Sequence, residues 1–327
     1  LLNKVGMVWV VVPDKVQAHL VFQSLNSRGL PLALGDLVNS YLQLRAEEMS
    51  SLGSTIMEDT TTALTVIETT LADDEKAIEK DFYYRYWLSK MGWASLAKGE
   101  VLAGFIEKIT GLATEADLRT FLNELKQEAQ YYAHAVNATI PGVPDTLQDL
   151  NAIQDQHRIL FMAGQRAGFS HNDWVVLVEI LELFLVRYSI AGSGKPPDQD
   201  WSEWSQLINS FGRAAVDGVP GGGVDNIDTE IRIKISNVGA HNNMQFETFM
   251  AEATLTEAEA KFLIRRIESI GFPAAYNTSD WQAEHIAPLS HRHWPAAGWN
   301  FTDKKRKKIK GLLGNFLVLT RRENISA

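Results

Sequence analysis

The spacing of apolar residues predicts a chain that is mostly helical. Apolar positions recur every three or four residues over 36–48 and almost continuously from about 55 to 216, a pattern typical of amphipathic helices. A further long helix is predicted over 256–270, and Asp36 can cap the first. The exception is the β-branched run 6–12, which ends at Pro13 and predicts one buried strand. Clusters of proline and glycine at 141–144, 192–197 and 218–223 interrupt the helices.

Several helical faces are apolar enough to form a core. An aromatic face and an aliphatic face are predicted in the first half of the chain, and Trp174–Ile190 is the segment that we expect to be buried most completely. The residues of the two faces are Phe82, Tyr83, Tyr86, Trp87 and Met91, and Leu118, Phe121, Leu122 and Leu125.

Composition excludes several classes of protein. Of the 327 residues, 45% are hydrophobic and 22% are charged, which excludes wholesale disorder, collagen and a coiled-coil rod. The chain has no cysteine, so disulfide scaffolds, thiolate zinc sites and cysteine nucleophiles are excluded, and a cytoplasmic location is expected. No stretch is apolar for long enough to cross a membrane, and the first residues do not form a signal peptide. Since the chain begins with Leu1, we expect a fragment or a processed product.

Charge is distributed unevenly. Residues 251–327 contain 12 basic and 8 acidic side chains, a formal charge of +4, whereas residues 1–250 carry −13. A basic block at 304–310 provides much of the difference. A basic C-terminal part on an acidic helical body is expected if only that part contacts a polyanion such as double-stranded DNA.

The C-terminal part also contains the residue types that phosphodiester hydrolysis needs. Glu284 and His285 stand side by side before Pro288, Asn315 sits in a Gly-Asn turn that leads into an apolar run, and Asn324 follows that run. Hydrolysis requires a base that titrates near neutral pH, and histidine is the usual one. It also requires a hard divalent cation held by oxygen ligands. A Glu-His pair alone is more often structural or solvent-exposed than catalytic.

Two motifs together resemble a known family. Glu284-His285-Ile286-Ala287-Pro288, then Leu313-Gly314-Asn315-Phe316-Leu317-Val318-Leu319, then Asn324, is similar to the His-Me finger (HNH-type) nuclease domain of GmrSD-type and SspE-like modification-dependent restriction proteins. The upstream run 261–268 is similar to the helix that precedes this motif there. Near the other end, the segment 22–32 followed by Asp36-Leu37 resembles the family's F-x-x-L-N-x-R-G-x-x-L…D-L signature, which follows a ParB-like region.

The resemblance implies a mainly α fold with a small C-terminal ββα-metal module. Residues 1–50 would be the remnant of the ParB-like domain, 51–250 a helical domain and 251–327 the nuclease domain, whose last helix is expected to be incomplete at Ala327. By motif position, His285 is the general base, Asn315 holds the loop that aims it, and Glu284 and Asn324 bind Mg²⁺ or Mn²⁺. The D-G-Q-Q-R motif of the nucleotide-handling region does not occur in this chain.

The function that the resemblance implies is nicking of duplex DNA in bacterial defence against phage, with sensing of a DNA modification such as phosphorothioation. One finger cuts one strand, so a double-strand break would need a homo-oligomer or successive nicks. No membrane partner is expected. The alternative is a catalytically inert helical module that binds DNA or a protein, and an RNA substrate is a further alternative.

The basic residues near the proposed site are candidates for phosphate contact. A solvated helix face is the other interpretation of such a charge run, and neither interpretation implies base specificity. These residues are Lys304, Lys305, Arg306, Lys307 and Lys308, with Arg321 and Arg322 nearby.

Three other motifs carry less weight. His291-Arg292-His293-Trp294 has no metal-ligand spacing and is typical of a loop. Gly192-Ser193-Gly194-Lys195 lacks the spacing of a phosphate loop. Arg28 could contact a phosphate or anchor its own turn.

Overall fold

The computed structural model describes residues 33–72, 78–93, 98–144, 146–190, 197–216, 243–271, 281–286 and 302–320, together with 229, 232, 233 and 237. The chain is mainly helical in these residues, as the periodicity predicts. Contacts divide it into two compact units, Leu1–Ala133 and His134–Ala327. The strand predicted over 6–12 and the signature at 22–32 lie outside the described residues, as do the loop motifs around Gly192 and His291.

The first unit contains α-helices that succeed one another along the chain. They are α1 (Leu34–Met49), α2 (Ile56–Leu71), α3 (Ile78–Lys90), α4 (Lys98–Thr110) and most of α5 (Glu115–Asn137). The predicted boundary at residue 50 separates α1 from the helical body, yet α1 packs against α2, α3 and α4. The domain boundaries implied by the resemblance stay predictions.

Aromatic side chains of α3 form the centre of the first unit. Phe82, Tyr83 and Tyr86 are buried as predicted, whereas Met91 is 45% exposed just beyond the end of the helix. Phe105 of α4 meets the Tyr83 ring edge-on, with 5.7 Å between ring centroids. The predicted aliphatic face of α5, from Leu118 to Leu125, is also buried. Helical spacing therefore identified most of this core.

The second unit begins with the last turn of α5. It continues with α6 (Thr146–Ile153), α7 (Arg158–Ala167), α8 (His171–Phe184), a π-helical turn (Leu185–Ile190), α9 (Asp198–Val216), α10 (Asn243–Glu252) and α11 (Glu257–Gly271). The strand β1 (Trp281–His285) follows, then α12 (Asp303–Gly311), a 3₁₀ turn (Leu313–Asn315) and β2 (Phe316–Thr320).

The core of the second unit lies between α7, α8 and α9. Trp174 and Leu177 of α8 are buried as predicted, and Ser170 caps this helix by accepting a hydrogen bond from the Asp173 amide. α7 packs against α9 and is buried without interruption over residues 159–164. A side chain at Gly164 would collide with the Trp174 ring, since a Cβ there would lie 2.5 Å from it. Glycine at this position therefore permits the close approach of α7 and α8.

α11 begins close to the predicted position, but its buried face differs from the face on which helical spacing places Phe262 and Ile267 together. Thr256 caps it and exchanges hydrogen bonds with Glu259, whose carboxylate accepts from the Thr256 amide at 2.7 Å. Phe262 is buried, but so is Leu263, while Ile267 is 57% exposed. Among the described helices, none combines the length and apolarity needed to cross a bilayer.

Candidate functional site

The antiparallel pair β1 and β2 brings the two halves of the C-terminal motif together. His285 lies opposite Phe316 and Glu284 opposite Leu317, so residues about thirty positions apart become neighbours. Aromatic and β-branched residues such as Trp281, Phe316 and Val318 favour the extended conformation of these strands. The backbone thus places the predicted base beside the turn that contains Asn315, although the side chains of Glu284 and His285 lie outside the described part of the structure.

Asn315 is the best-defined residue of the predicted site. It is 7% exposed and ends the 3₁₀ turn between α12 and β2, where the sequence predicts a Gly-Asn turn. Its side-chain Nδ2 donates to the Lys310 carbonyl at 3.3 Å. Its own carbonyl accepts a hydrogen bond from the Ile286 amide at 2.8 Å. Asn315 therefore links the end of α12 to the residue that follows His285.

The basic block forms a short helix directly before this turn. Thr302 caps α12 by accepting a hydrogen bond from the Lys305 amide. Lys304, Lys305 and Lys308 are exposed. Lys308 lies 3.8 Å from Glu252, and both side chains are at least half exposed, so this ion pair is weak and leaves Lys308 available to other anions.

The end of α12 is fixed to the segment that follows α10. The Leu255 amide donates to the Gly311 carbonyl at 2.6 Å, and a Cβ at Gly311 would lie 2.2 Å from the Thr254 side chain. Gly311 is thus required for a close backbone approach. It fixes the position at which the basic helix ends.

α11 carries three basic residues whose surroundings are set by neighbouring helices of the unit; Arg265 is largely buried, whereas Arg266 is 48% exposed. Arg265 pairs with Asp149 of α6, and Arg266 Nη2 lies 2.8 Å from Glu182 Oε2 of α8. Burial lowers the pKa of Lys261, and the neighbouring Arg265 lowers it further. The basic character of the run 261–268 therefore supports packing of this helix, a use that periodicity and charge counting did not reveal.

Glu182 is buried and its pKa is displaced upward. Desolvation is the largest cause, and the nearby carboxylates of Glu179 and Asp149 add to it, while Arg266 opposes the rise. A buried carboxylate with this environment is costly to ionise. The sequence did not indicate a special role for Glu182, because the apolar residues around it on α8 predict only a buried helix.

No known protein family, curated protein or solved structure matches the chain.

The other predicted site residues are located only in part. Arg306 and Lys307 belong to α12, but their side chains lie outside the described part; Arg321, Arg322 and Asn324 lie outside the described residues altogether. Within the described residues, no group of three or more His, Asp or Glu side chains converges as a metal site. The ligand roles of Glu284 and Asn324 stay predictions. A carboxylate and an amide are oxygen donors of the kind that Mg²⁺ and Mn²⁺ prefer.

Proposed function

We propose that the chain is a metal-dependent DNA endonuclease that nicks duplex DNA. The observation that supports this most is the pairing of β1 with β2, which aligns His285 with Phe316 and brings the Ile286 amide to the Asn315 carbonyl. The proposed base, the proposed positioning residue Asn315 and the basic helix would thus lie near one end of the strand pair. In the proposed ββα-metal module, the helix would follow β2 and contribute Asn324.

His285 would remove a proton from the attacking water. An imidazole suits this task because its pKa lies near neutral pH, so that it is available as a base and can hold the proton afterwards. Asn315 would hold the backbone after His285 in place through its carbonyl, and thus the direction in which the base points. Glu284 and Asn324 would hold the divalent cation, which when bound stabilises the charge that develops on the scissile phosphate.

α12 would hold the DNA backbone. Its exposed Lys304, Lys305 and Lys308 lie on the helix that precedes Asn315. Contacts from lysine to phosphate carry no sequence information, so any choice of target would arise elsewhere. In the restriction systems that the sequence resembles, a DNA modification provides that choice, and defence against phage is the setting we propose.

Binding without cleavage is the second candidate function. The exposed lysines of α12 support phosphate contact whether or not a cation is bound between Glu284 and Asn324. An inert regulatory module would bind DNA in EDTA and leave it intact.

Relaxation of supercoiled plasmid tests the proposal. We expect open-circular product with Mg²⁺ or Mn²⁺ and none with EDTA, since hydrolysis requires the cation. Glu284→Ala and Asn324→Ala should shift the metal dependence of nicking to higher concentration, whereas the exposed Asn172→Ala on α8 should not. Nicking that persists unchanged in EDTA would exclude the metal-dependent mechanism, and a parallel reaction with labelled RNA would identify an RNA substrate.

A further inference from the structure

The two arginines of α11 hold this helix on two different helices of the same unit. Arg265 pairs with Asp149 of α6, and Arg266 pairs with Glu182 of α8 at 2.8 Å. Neighbouring residues on a helix point in directions about 100° apart. Two such pairs therefore fix both the rotation of α11 about its axis and its place along α6 and α8.

The remaining contacts of α11 are less directional. Ala260, Phe262 and Leu263 are buried, and apolar burial does not specify one register. A helix held only by such a face could settle in neighbouring orientations. Ion pairs are directional and can distinguish one orientation from the next.

We propose that Glu182 is a positioning residue, whose pairing with Arg266 sets the docking of α11 and so the place of β1 with Glu284 and His285. α11 packs against both β1 and β2, and only residues 272–280 separate its end from the start of β1. A change in how α11 docks is thus transmitted to the strand pair. The catalytic part of this inference rests on the proposed nuclease function, whereas the docking part does not.

The energetics of Glu182 favour positioning over stabilisation. The residue is 7% exposed, and among the described residues nothing donates a hydrogen bond to its Oε1. The charged groups that face it are Arg266 of α11, Asp149 of α6 and Glu179 of its own helix. Two of these three repel an ionised Glu182, which agrees with its raised pKa. Arg266 is 48% exposed, so water can solvate its guanidinium when Glu182 is replaced. An apolar side chain at position 182 then removes the desolvation cost of the carboxylate, while the directional contact to Arg266 is lost.

Three variants separate these roles. Glu182→Leu removes the charge and the hydrogen-bond acceptor and puts an apolar side chain of similar size in the same buried position. Glu182→Gln keeps an oxygen that can accept from Arg266. Glu179→Leu makes the same change about one turn earlier on α8, at an exposed position. It removes a charge that repels ionised Glu182 but leaves the pair between Glu182 and Arg266 in place, and so controls for the loss of a carboxylate from this helix.

Hydrogen exchange of the full chain, followed segment by segment, provides a readout that does not depend on activity. For Glu182→Leu we expect the amides of α11 and β1 to exchange at least tenfold faster while Tm is unchanged or higher. Glu182→Gln and Glu179→Leu should stay within about threefold of wild type. Unchanged exchange in Glu182→Leu, or a fall in Tm with faster exchange throughout the unit, would overturn the positioning role.

Plasmid nicking then tests the catalytic part. If wild-type protein nicks, Glu182→Leu should be about tenfold slower and Glu182→Gln should retain most of the rate. If Glu182→Leu nicks at the wild-type rate although the amides of α11 exchange faster, the docking of α11 does not control the proposed site. A wild-type protein that does not nick would instead contradict the proposed function. The hydrogen-exchange measurement would then still test whether Glu182 sets the docking of α11.

Discussion

Asn315 joins the end of the basic helix α12 to the strand pair through two hydrogen bonds, one made by its side chain and one by its backbone carbonyl. Its side chain holds the Lys310 carbonyl and its backbone holds the Ile286 amide. Only the first of these contacts depends on the asparagine side chain. Substitution can therefore test the anchoring to α12 while the strand pairing is preserved.

We predict that Asn315→Ala reduces nicking about tenfold and destabilises the fold by about 1 kcal/mol, the typical net contribution of one hydrogen bond. DNA binding should stay within about twofold of wild type, because the lysines of α12 remain. Nicking assays, binding isotherms and urea denaturation measure the three quantities. Asn172→Ala is the control. Full nicking activity in Asn315→Ala would show that the side-chain contact with the Lys310 carbonyl does not help to position the site.

Glu124 and Glu182 have pKa values displaced in opposite directions. Burial alone would raise the pKa of Glu124, but hydrogen bonds from Lys90 and Tyr86 and the charge of Lys90 outweigh it, so the pKa falls below its ordinary value of 4.5. Lys90 Nζ lies 2.7 Å from its carboxylate. A lowered pKa means that Glu124 contributes stability above pH 4.5, and this contribution is lost as pH falls through the folded-state value. For Glu182 the sign is reversed, because its ionised form is the one that the fold disfavours.

We predict that Glu124→Gln lowers the free energy of unfolding by about 1–2 kcal/mol at pH 7. This is the lower part of the range for a hydrogen bond to a charged group, because the pair with Lys90 is partly exposed to solvent. The deficit should shrink as pH falls below 4.5, since wild-type Glu124 then becomes neutral as well. Glu182→Gln should instead match or exceed wild type at pH 7 and lose that advantage on acidification. Urea denaturation across this pH range measures both. Parallel pH dependences for the two variants would contradict the opposite assignments.

At the scale of elements, α12 is the part whose role depends least on residues outside the described structure. Its exposed lysines precede the turn that carries Asn315. Each phosphate that they neutralise should release counterions and steepen the salt dependence of binding.

We predict that the triple reversal Lys304→Glu, Lys305→Glu, Lys308→Glu weakens DNA binding at least tenfold at about 0.1 M salt. The slope of log K against log salt should flatten by about 2–3, at about 0.9 per phosphate contact. Binding isotherms over a salt series measure this. Lys126→Glu on α5 is the control for a single reversal on another helix, and per reversed charge it should change the binding less than the triple variant does. Identical isotherms for wild type and the triple variant would identify α12 as a solvated face.

The buried face of a helix was predictable from sequence where the helix has a single apolar face. It was less predictable where the neighbouring elements determine which residues are covered. The spacing of Val38 and Leu42 predicted α1, and both residues are buried; Gly35 and Ala46, which are small, complete the same buried face. On α11 the spacing did not distinguish buried Leu263 from exposed Ile267. Periodicity defines a helix and its faces, but which face is covered depends on the neighbouring elements.

At the scale of the whole molecule, the described part of the chain is mainly helical in two compact units. The charge asymmetry and the order of the motifs are properties of sequence, whereas the pairing of His285 with Phe316 is a property of the fold. The Gly-Asn turn was predictable because glycine and asparagine favour tight turns. The ion pairs of Arg265 and Arg266 were not, since their partners lie on helices distant in sequence.

Nicking of supercoiled plasmid by wild type and His285→Ala, at equal bound protein and with Mg²⁺ present, tests the central proposal most directly. The exposed His134→Ala on α5 controls for loss of a histidine. We predict that His285→Ala binds DNA like wild type and nicks at least a hundredfold more slowly, within the range that a general base contributes. Equal nicking by wild type and His285→Ala would contradict the assignment of His285 as the base and, with it, the proposed nuclease site.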